Sequence, residues 1–329
     1  MATYQFQPTQ YFTAIGWYPP VLRIAPGDTV ITTTVDAGGG DQHGKPITPG
    51  GNPQTGPFLV EGAEPGDMLA VHLDRLSPSR STGFTRTLLS PQVLDPPSAS
   101  AHLHETGADW DLDLTRGIAT LRPSAAITRP LVVPLAPMLG CFGVAPTWGQ
   151  IVSGTALLIR RRRWPRHFFA SGSRAISTAT SGPYGGNMDY RGFGPGTTVY
   201  FPVFTPGALF FLGDGHAAQG DGELLGTGIE TSFEVQFTVD LHKDQPIGWP
   251  RGENAQYLFT VGNAYPLHVA LRHATTEMSS WLRDQYELDE RASGVLLGMA
   301  VEFEVGNVYN PAYTMICKLP KRFLPTSAR

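Results

Sequence analysis

Cysteine is scarce: Cys141 and Cys317 are the only two in 329 residues. Two are too few for a disulfide framework in a chain this long, and no Cys-x-x-Cys pair or Cys/His zinc-finger spacing occurs. Charge is also sparse and nearly balanced. Charged residues make up 16% of the chain and the formal net charge is −4, so no global field draws nucleic acid or an anionic membrane. No apolar run approaches the ~18 residues of a membrane-spanning helix. The N-terminus, MATYQFQPTQYFTAIGW, has neither the basic start nor the apolar stretch of a secretory signal. A cytoplasmic protein with a small-molecule partner, and with no nucleic-acid or membrane partner, is expected.

Several catalytic signatures are missing too. There is no Gly-x-Gly-x-x-Gly opening a helix and no phosphate loop, which excludes the familiar nucleotide sites of a doubly wound sheet. No Gly-x-Ser-x-Gly elbow occurs, and Ser171-Gly172-Ser173 lacks the Gly-Ser-Ser-Gly-Gly run of serine amidases. Cys141 sits in an apolar Pro/Gly segment and Cys317 in a terminal strand pattern. Both read as packing residues rather than nucleophiles.

Glycine and proline are plentiful, at 38 and 29 residues. They are spread along the chain without a collagen period, as many short strands joined by tight turns require. Residues 20–35 and 57–76 each carry a Pro-Gly-Asp turn ahead of an alternating apolar/polar run. Residues 130–145 suit a buried strand with proline-kinked edges, and 198–213, 226–241 and 301–320 supply further strands. One segment predicts a convincing helix, Leu271 to Tyr286, where Ala274, Met278, Trp281, Leu282 and Gln285 recur at spacings of three and four. A second short helix is expected from Glu287 to Leu297. The expected fold is mainly β, sandwich- or barrel-like with mixed sheets, with a C-terminal helical hairpin and minor α+β content. The chain reads as one unit, 1–329, or as two β subdomains at about 1–135 and 136–329. Arg160-Arg161-Arg162-Arg163, with Trp164 and Arg166, is the one basic run. Alone in an acidic chain, it reads as a solvated loop or a contact between copies before an RNA or membrane patch.

Three glycine-rich segments concentrate groups that can do chemistry. Residues 213–230, GDGHAAQGDGELLGTGIE, hold Asp214, His216, Asp221, Glu223 and Glu230. Carboxylates with an imidazole suit a divalent ion, and Asp-x-His on an extended strand points both side chains to one face. A solvated glycine-rich turn is the plain alternative. Gly185-Gly186-Asn187-Met188-Asp189 could aim oxygen ligands or an amide donor into a cleft, or be a turn with Asx hydrogen bonds. Asp36 through His43, DAGGGDQH, follows a strand and offers Asp36 as a ligand, with His43 either near the site or simply exposed. His72, His268 and His273 fit core or surface duty better.

Together these segments resemble the acetamidase/formamidase family. The matching stretches are PQTGPFLVEGAEPGDMLAV at 53–71, PMLGCFGVAP at 137–146, GGNMD at 185–189, GALFFLGDGHAAQGDGELLGTGIE at 207–230 and the helical EMSSWL. They occur in one order and span about residues 20 to 310. The resemblance implies a largely β fold, homodimers or higher homo-oligomers, and a divalent metal, Zn²⁺ first with Mn²⁺ or Ca²⁺ as alternatives. It implies hydrolysis of a linear, formamide- or acetamide-like amide to carboxylate and ammonia or amine. Asp36, Asp214 and His216 would be metal ligands. Glu223 or Glu230 would be the base acting on metal-activated water, and Asn187 an oxyanion donor. Asp189, Gly186 and His43 would line or support the site. Residues 148–174 look longer than the family's connection, and Trp164, Phe168 and Phe169 there would reshape the mouth of the site. The alternatives are a C–N hydrolase of a bulkier or cyclic amide and a non-catalytic small-molecule binder.

Overall fold

The computed structural model describes residues 1–95, 104, 106–124, 127–161 and 174–325. Trp164, Phe168, Phe169, Ser171, Ser173 and the basic run beyond Arg161 lie outside the described residues.

Strand formation follows the alternation in the sequence wherever a strand has one wet face. Phe233–His242 buries Phe233, Val235, Phe237 and Val239 and turns Glu234, Gln236 and Thr238 outward. This strand lies inside a nine-stranded sheet. The order there is Thr3–Phe6, Thr29–Thr34, Phe233–His242, Met68–Pro78, Thr198–Pro202, Arg251–Glu253, Tyr257–Ala264, Tyr313–Pro320 and Glu302–Asn307. A six-stranded sheet runs Ser181–Gly182, Gly185–Asn187, Met138–Val144, Phe210–His216, Gln54–Val60 and Leu22–Ile24. Both are mixed, each with one parallel pair: Thr3–Phe6 beside Thr29–Thr34, and Leu22–Ile24 beside Gln54–Val60.

The two sheets face each other across an aromatic core. Phe58 and Phe210 of the smaller sheet meet Phe237 of the larger at 5.3 and 5.4 Å between ring centroids. Phe142 meets Phe201 at 5.4 Å in an edge-to-face pair. Such pairs add about 0.5–1.5 kcal/mol each beyond the area they bury. The mainly β sandwich expected from the sequence is the fold observed. Strands from before and after residue 135 are interleaved in both large sheets.

A four-stranded sheet, Val132–Pro134, Ile118–Leu121, Gly107–Asp113 and Thr82–Arg86, covers a smaller core around Trp110, Leu112 and Leu121. Glu230 joins it to the six-stranded sheet, bridging Phe84 on one side and His216 on the other. The site described below lies at this seam.

The C-terminal helix pair is present with shifted ends. Helix α2, Leu267–Tyr286, starts a turn earlier than the periodicity suggests and stops where Glu287 turns left-handed (φ 54°). Helix α3, Glu290–Ala300, begins later than Glu287 because Asp289 is its N-cap, accepting from the Ala292 N–H. A further helix, α1, Trp148–Arg161, has no counterpart in the sequence expectation. Arg160 and Arg161 thus form the end of a helix rather than a loop.

Candidate active site

The Phe210–His216 strand brings the first two functional groups to the seam. His216 pairs with Met138 on one side and bridges Glu230 on the other, so the chain leaving the strand returns with a carboxylate beside the ring. The loop between them is pinned to the Glu302–Asn307 strand by Gly222 N–H to Val305 O (2.8 Å) and Val308 N–H to Gly222 O (2.9 Å), which carries Glu223 inward. Asp189 arrives from the neighbouring edge: the N–H groups of Met188 and Asp189 both donate to Gly140 O, at 2.9 and 3.0 Å. Asn52, Asp189, Asp214 and Glu223 all adopt left-handed φ, between 46° and 62°. Backbone in that region is unfavourable for side chains other than glycine and concentrates where function demands it.

Gly140 explains how two carboxylates fit so closely. A side chain there would collide with Asp189 Oδ1 and come within 2.8 Å of Asp214 Oδ2. Gly228 plays the same part for the imidazole, with a Cβ position 2.5 Å from His216 Nδ1.

The imidazole has a defined tautomer. Gln219 Nε2 donates to Asp189 O at 2.5 Å and Gly306 O at 3.3 Å, which turns its Oε1 towards His216 Nδ1 at 2.8 Å. Nδ1 therefore carries the proton, and the Nε2 lone pair points the other way. Nε2 stands 3.0 Å from Glu230 Oε1 and 3.4 Å from Asp214 Oδ1, yet makes no well-aligned hydrogen bond. Two ligands at about 2.0–2.1 Å from a tetrahedral ion are roughly 3.3–3.4 Å apart, so these spacings suit a shared cation. Two overlapping groups have ligand atoms within 4.8 Å of one another: Asp214, His216 and Glu230, and Asp189, His216 and Glu223.

Charge supports the same reading. Four buried carboxylates face one imidazole, and uncompensated charge in the interior costs several kcal/mol per ion. Burial first, and then the neighbouring acids, push the carboxyls of Asp189 and Glu223 well above their usual range; Glu230 is raised for the same reasons. Burial alone would keep His216 neutral, but the Glu230 and Asp214 carboxylates outweigh it and favour a positive charge at the ring. A field that favours a proton on Nε2 favours a metal ion there as well. Glu223 Oε2 and Glu230 Oε2 are buried without a hydrogen-bond partner among the described residues. Buried orphan oxygens of this kind call for a ligand, and the donor set of one imidazole and carboxylates fits a divalent ion.

The acids open into a cleft of about 500 Å³ lined by Asn52, Phe84, Arg86, Asp214, Glu223, Glu230 and Tyr309 among others. Cys141 lies behind them. Burial, then the charges of Asp214 and Asp189, push its thiol well up, so it stays protonated and is a poor nucleophile.

Asp189, Asp214, His216, Glu223 and Glu230 therefore come together, as the motifs suggest. Asp214 and His216 do so without a regular extended strand, because Asp214 is left-handed. Four expected residues are placed otherwise. Asp36 accepts from the Gly38 and Gly40 N–H groups and pairs with Arg80 at 2.6 Å. These partners hold it in its own loop, and it enters neither ligand group. His43 is exposed. Gly186 (φ 91°) belongs to the sheet, paired with Phe142, and a side chain there would strike Thr180 O. Asn187 reaches the site, but in the orientation that satisfies its neighbours Nδ2 donates to Asp214 Oδ2 at 2.7 Å and Asp189 Oδ1 at 3.3 Å. Both amide hydrogens are used, so it holds carboxylates in place and has none left for a substrate oxyanion.

Reading the sequence missed the supporting amides. Asn52 Nδ2 donates to Asp214 Oδ2 at 2.8 Å, and Asn310 Nδ2 to Asp189 Oδ2 at 2.6 Å. Gln219 lies within the recognised segment, three residues after His216, and this spacing was its one available signal.

The sequence model of the Acetamidase/Formamidase family matches residues 160–321. The acetamidase of Mycolicibacterium smegmatis is 26% identical over 254 residues, covering 65% of this chain and 59% of that protein. The formamidase of Methylophilus methylotrophus is 26% identical over 212 residues, covering 58% and 51%. The match thus spans about half to three-fifths of these curated relatives. The crystal structure of acetamidase from Yersinia enterocolitica superposes with a TM-score of 0.78 at 29% identity, covering 98% of this chain and 93% of that one.

Proposed function

The chain belongs to the acetamidase/formamidase family, and from that premise we propose that it hydrolyses the C–N bond of a linear carboxylic amide with the help of a divalent metal ion. The observation that carries the metal part is His216. Gln219 fixes its tautomer, and its Nε2 lone pair faces Asp214 and Glu230 without a hydrogen bond. Asp214, His216 and Glu230 would hold the ion, with Zn²⁺ the first choice for a nitrogen/oxygen donor set. When bound, the ion supplies Lewis acidity to the amide carbonyl and to water.

The residues of the chain do the rest. Asn52 and Asn187 orient Asp214 through hydrogen bonds. Glu223 lines the cleft with Oε2 unpartnered and its pKa raised by burial. These properties suit a group that takes up a proton and gives it back. It takes a proton from the attacking water and returns it to the departing nitrogen. The water oxygen ends in the carboxylate product, and the nitrogen leaves as ammonia or amine. Exposed Val295, Met299 and Phe303, on α3 and the adjacent edge strand, support the homo-oligomer in this reading.

The test is an ammonia-release screen over short linear amides after thorough chelation, with Zn²⁺ or Mn²⁺ then added back. Turnover restored by metal is expected. Full turnover in protein shown by elemental analysis to hold no metal would remove the ion from the mechanism. No turnover with any amide, with metal bound, would remove the hydrolase reading.

A further inference from the structure

Resting on the amide-hydrolase reading, we propose that the substrate carries a carboxylate at the end remote from its amide, and that Arg86 selects for it. The cleft of about 500 Å³ falls in the range of about 300–1,000 Å³ that holds drug-sized ligands. Formamide or acetamide would leave most of it to water. Its floor is acidic, and Arg86 is the one cation among its described lining residues.

The guanidinium is built into the wall. Arg86 ends the Thr82–Arg86 strand, and its backbone N–H donates to Thr227 Oγ1 at 3.0 Å. Its Cζ lies 5.1 Å from the Tyr309 ring centroid, and Nη1 donates to the Tyr309 hydroxyl. Nε and Nη2 take no hydrogen bond among the described residues, and no described carboxylate pairs with the group. This contrasts with Arg80 in the neighbouring cavity, which Asp36 neutralises at 2.6 Å. A held guanidinium with two donors spare is suited to a carboxylate, which it grips with charge-assisted hydrogen bonds.

The field also sets the direction of binding. Arg86 draws an anionic group to its own part of the cleft, so the neutral amide is left for the part that carries Asp214, Glu223 and Glu230.

The experiment compares kcat/KM for malonamate, succinamate and glutaramate with that for the neutral propionamide, butyramide and valeramide, in wild type, R86M and R86K. Wild type should favour one anionic amide over its neutral counterpart by at least 10-fold. The R86M ratio should fall by about 10- to 100-fold, the factor attached to losing a hydrogen bond to a charged group, and R86K should retain part of the preference. A ratio unmoved in R86M, or a wild-type preference for neutral amides, would overturn the inference. Calorimetric binding of succinate against butyrate, to wild type and R86M with matched melting curves, separates the two claims. Arg86-dependent succinate binding without ammonia from any amide would keep the inference and sink the hydrolase. Turnover of neutral amides with no Arg86-dependent succinate binding would do the reverse.

Discussion

At the scale of single residues, the site consists of buried acids around one imidazole, held in place by neutral amides from distant turns. Asp189, Asp214, His216, Glu223 and Glu230 stand out because acids and an imidazole among glycines are an uncommon pattern. Asn52, Asn307 and Asn310 look like ordinary turn residues until the fold aims them at Asp214 and Asp189. Asp36 shows the opposite failure. It has the same acid-plus-glycine pattern, but its partner Arg80 is 44 positions away, and only the fold reveals that it is already neutralised. Two predictions belong here. Glu223→Gln removes a buried carboxyl whose Oε2 bonds nothing among the described residues, so melting should hold or rise. Turnover should drop about 10²–10⁴-fold, the usual share of general acid–base catalysis, and near-normal kcat would clear Glu223 of that role. Gln219→Leu frees His216 Nδ1 from its acceptor. Metal affinity should weaken about 10–100-fold, as for other supports of a ligand histidine, measurable by competition with a chromogenic chelator. Unchanged affinity would mean that the tautomer is set in some other way.

At the scale of elements, what could be read depended on how many faces each strand buries. Phe233–His242 was legible because one face is wet. Met138–Val144 and Phe210–His216 are buried throughout, so alternation is absent and their ends blurred. Helix Trp148–Arg161 had a signal that went unread: Thr147 and Gln150 form a reciprocal cap, with Gln150 N–H to Thr147 Oγ1 at 3.2 Å and Thr147 N–H to Gln150 Oε1 at 2.8 Å. Gly149, Gly154 and exposed Trp148, Val152 and Ile159 hid it by weakening the amphipathic stripe. The two Pro-Gly-Asp turns, by contrast, share one device. Asp28 accepts from Ala25 N–H at 2.9 Å and Asp67 from Glu64 N–H at 2.8 Å, each locking its own turn. For Asp67, burial acts to raise the pKa, but hydrogen bonds from Lys243, Asp244 and Glu64 outweigh it and lower it; backbone bonds from Ala2 and Ala25 lower Asp28. A depressed folded-state pKa gives stability that is present above the unfolded value near 3.8 and lost as pH falls through the folded value. Acid melting should therefore be less steep in Asp67→Asn than in wild type below about pH 4, and identical acid limbs would show that the turn carboxylate carries no such linkage.

At the scale of the molecule, the least legible feature is where distant segments meet. Asn52, Asn187, Asp214, Glu230 and Asn310 converge on one cleft although 258 positions separate the first from the last. The interleaving that brings them together, such as Met68–Pro78 lying between Phe233–His242 and Thr198–Pro202, leaves no local trace in composition or period. The order of motifs along the chain was readable; their meeting in space comes from sheet pairing. This arrangement has a thermodynamic consequence. A ligand site carried by the six-stranded sheet and the seam, with its loop pinned to the nine-stranded sheet by the Gly222–Val305 bond, exists only when the whole sandwich is folded, so a metal bound there is linked to global stability rather than to one loop. At 100 times its dissociation constant an ion that binds the folded chain alone adds about 2.7 kcal/mol, or roughly 4 °C in Tm for a chain of this length. Chelation should lower the melting midpoint of the whole transition by that order, and Zn²⁺ should restore it. His216→Ala, which removes the one imidazole both ligand groups share, should melt at a midpoint that neither treatment moves. If chelation instead melted a separate early step and left the main transition in place, the site would be coupled to a local unit and not to the fold as a whole.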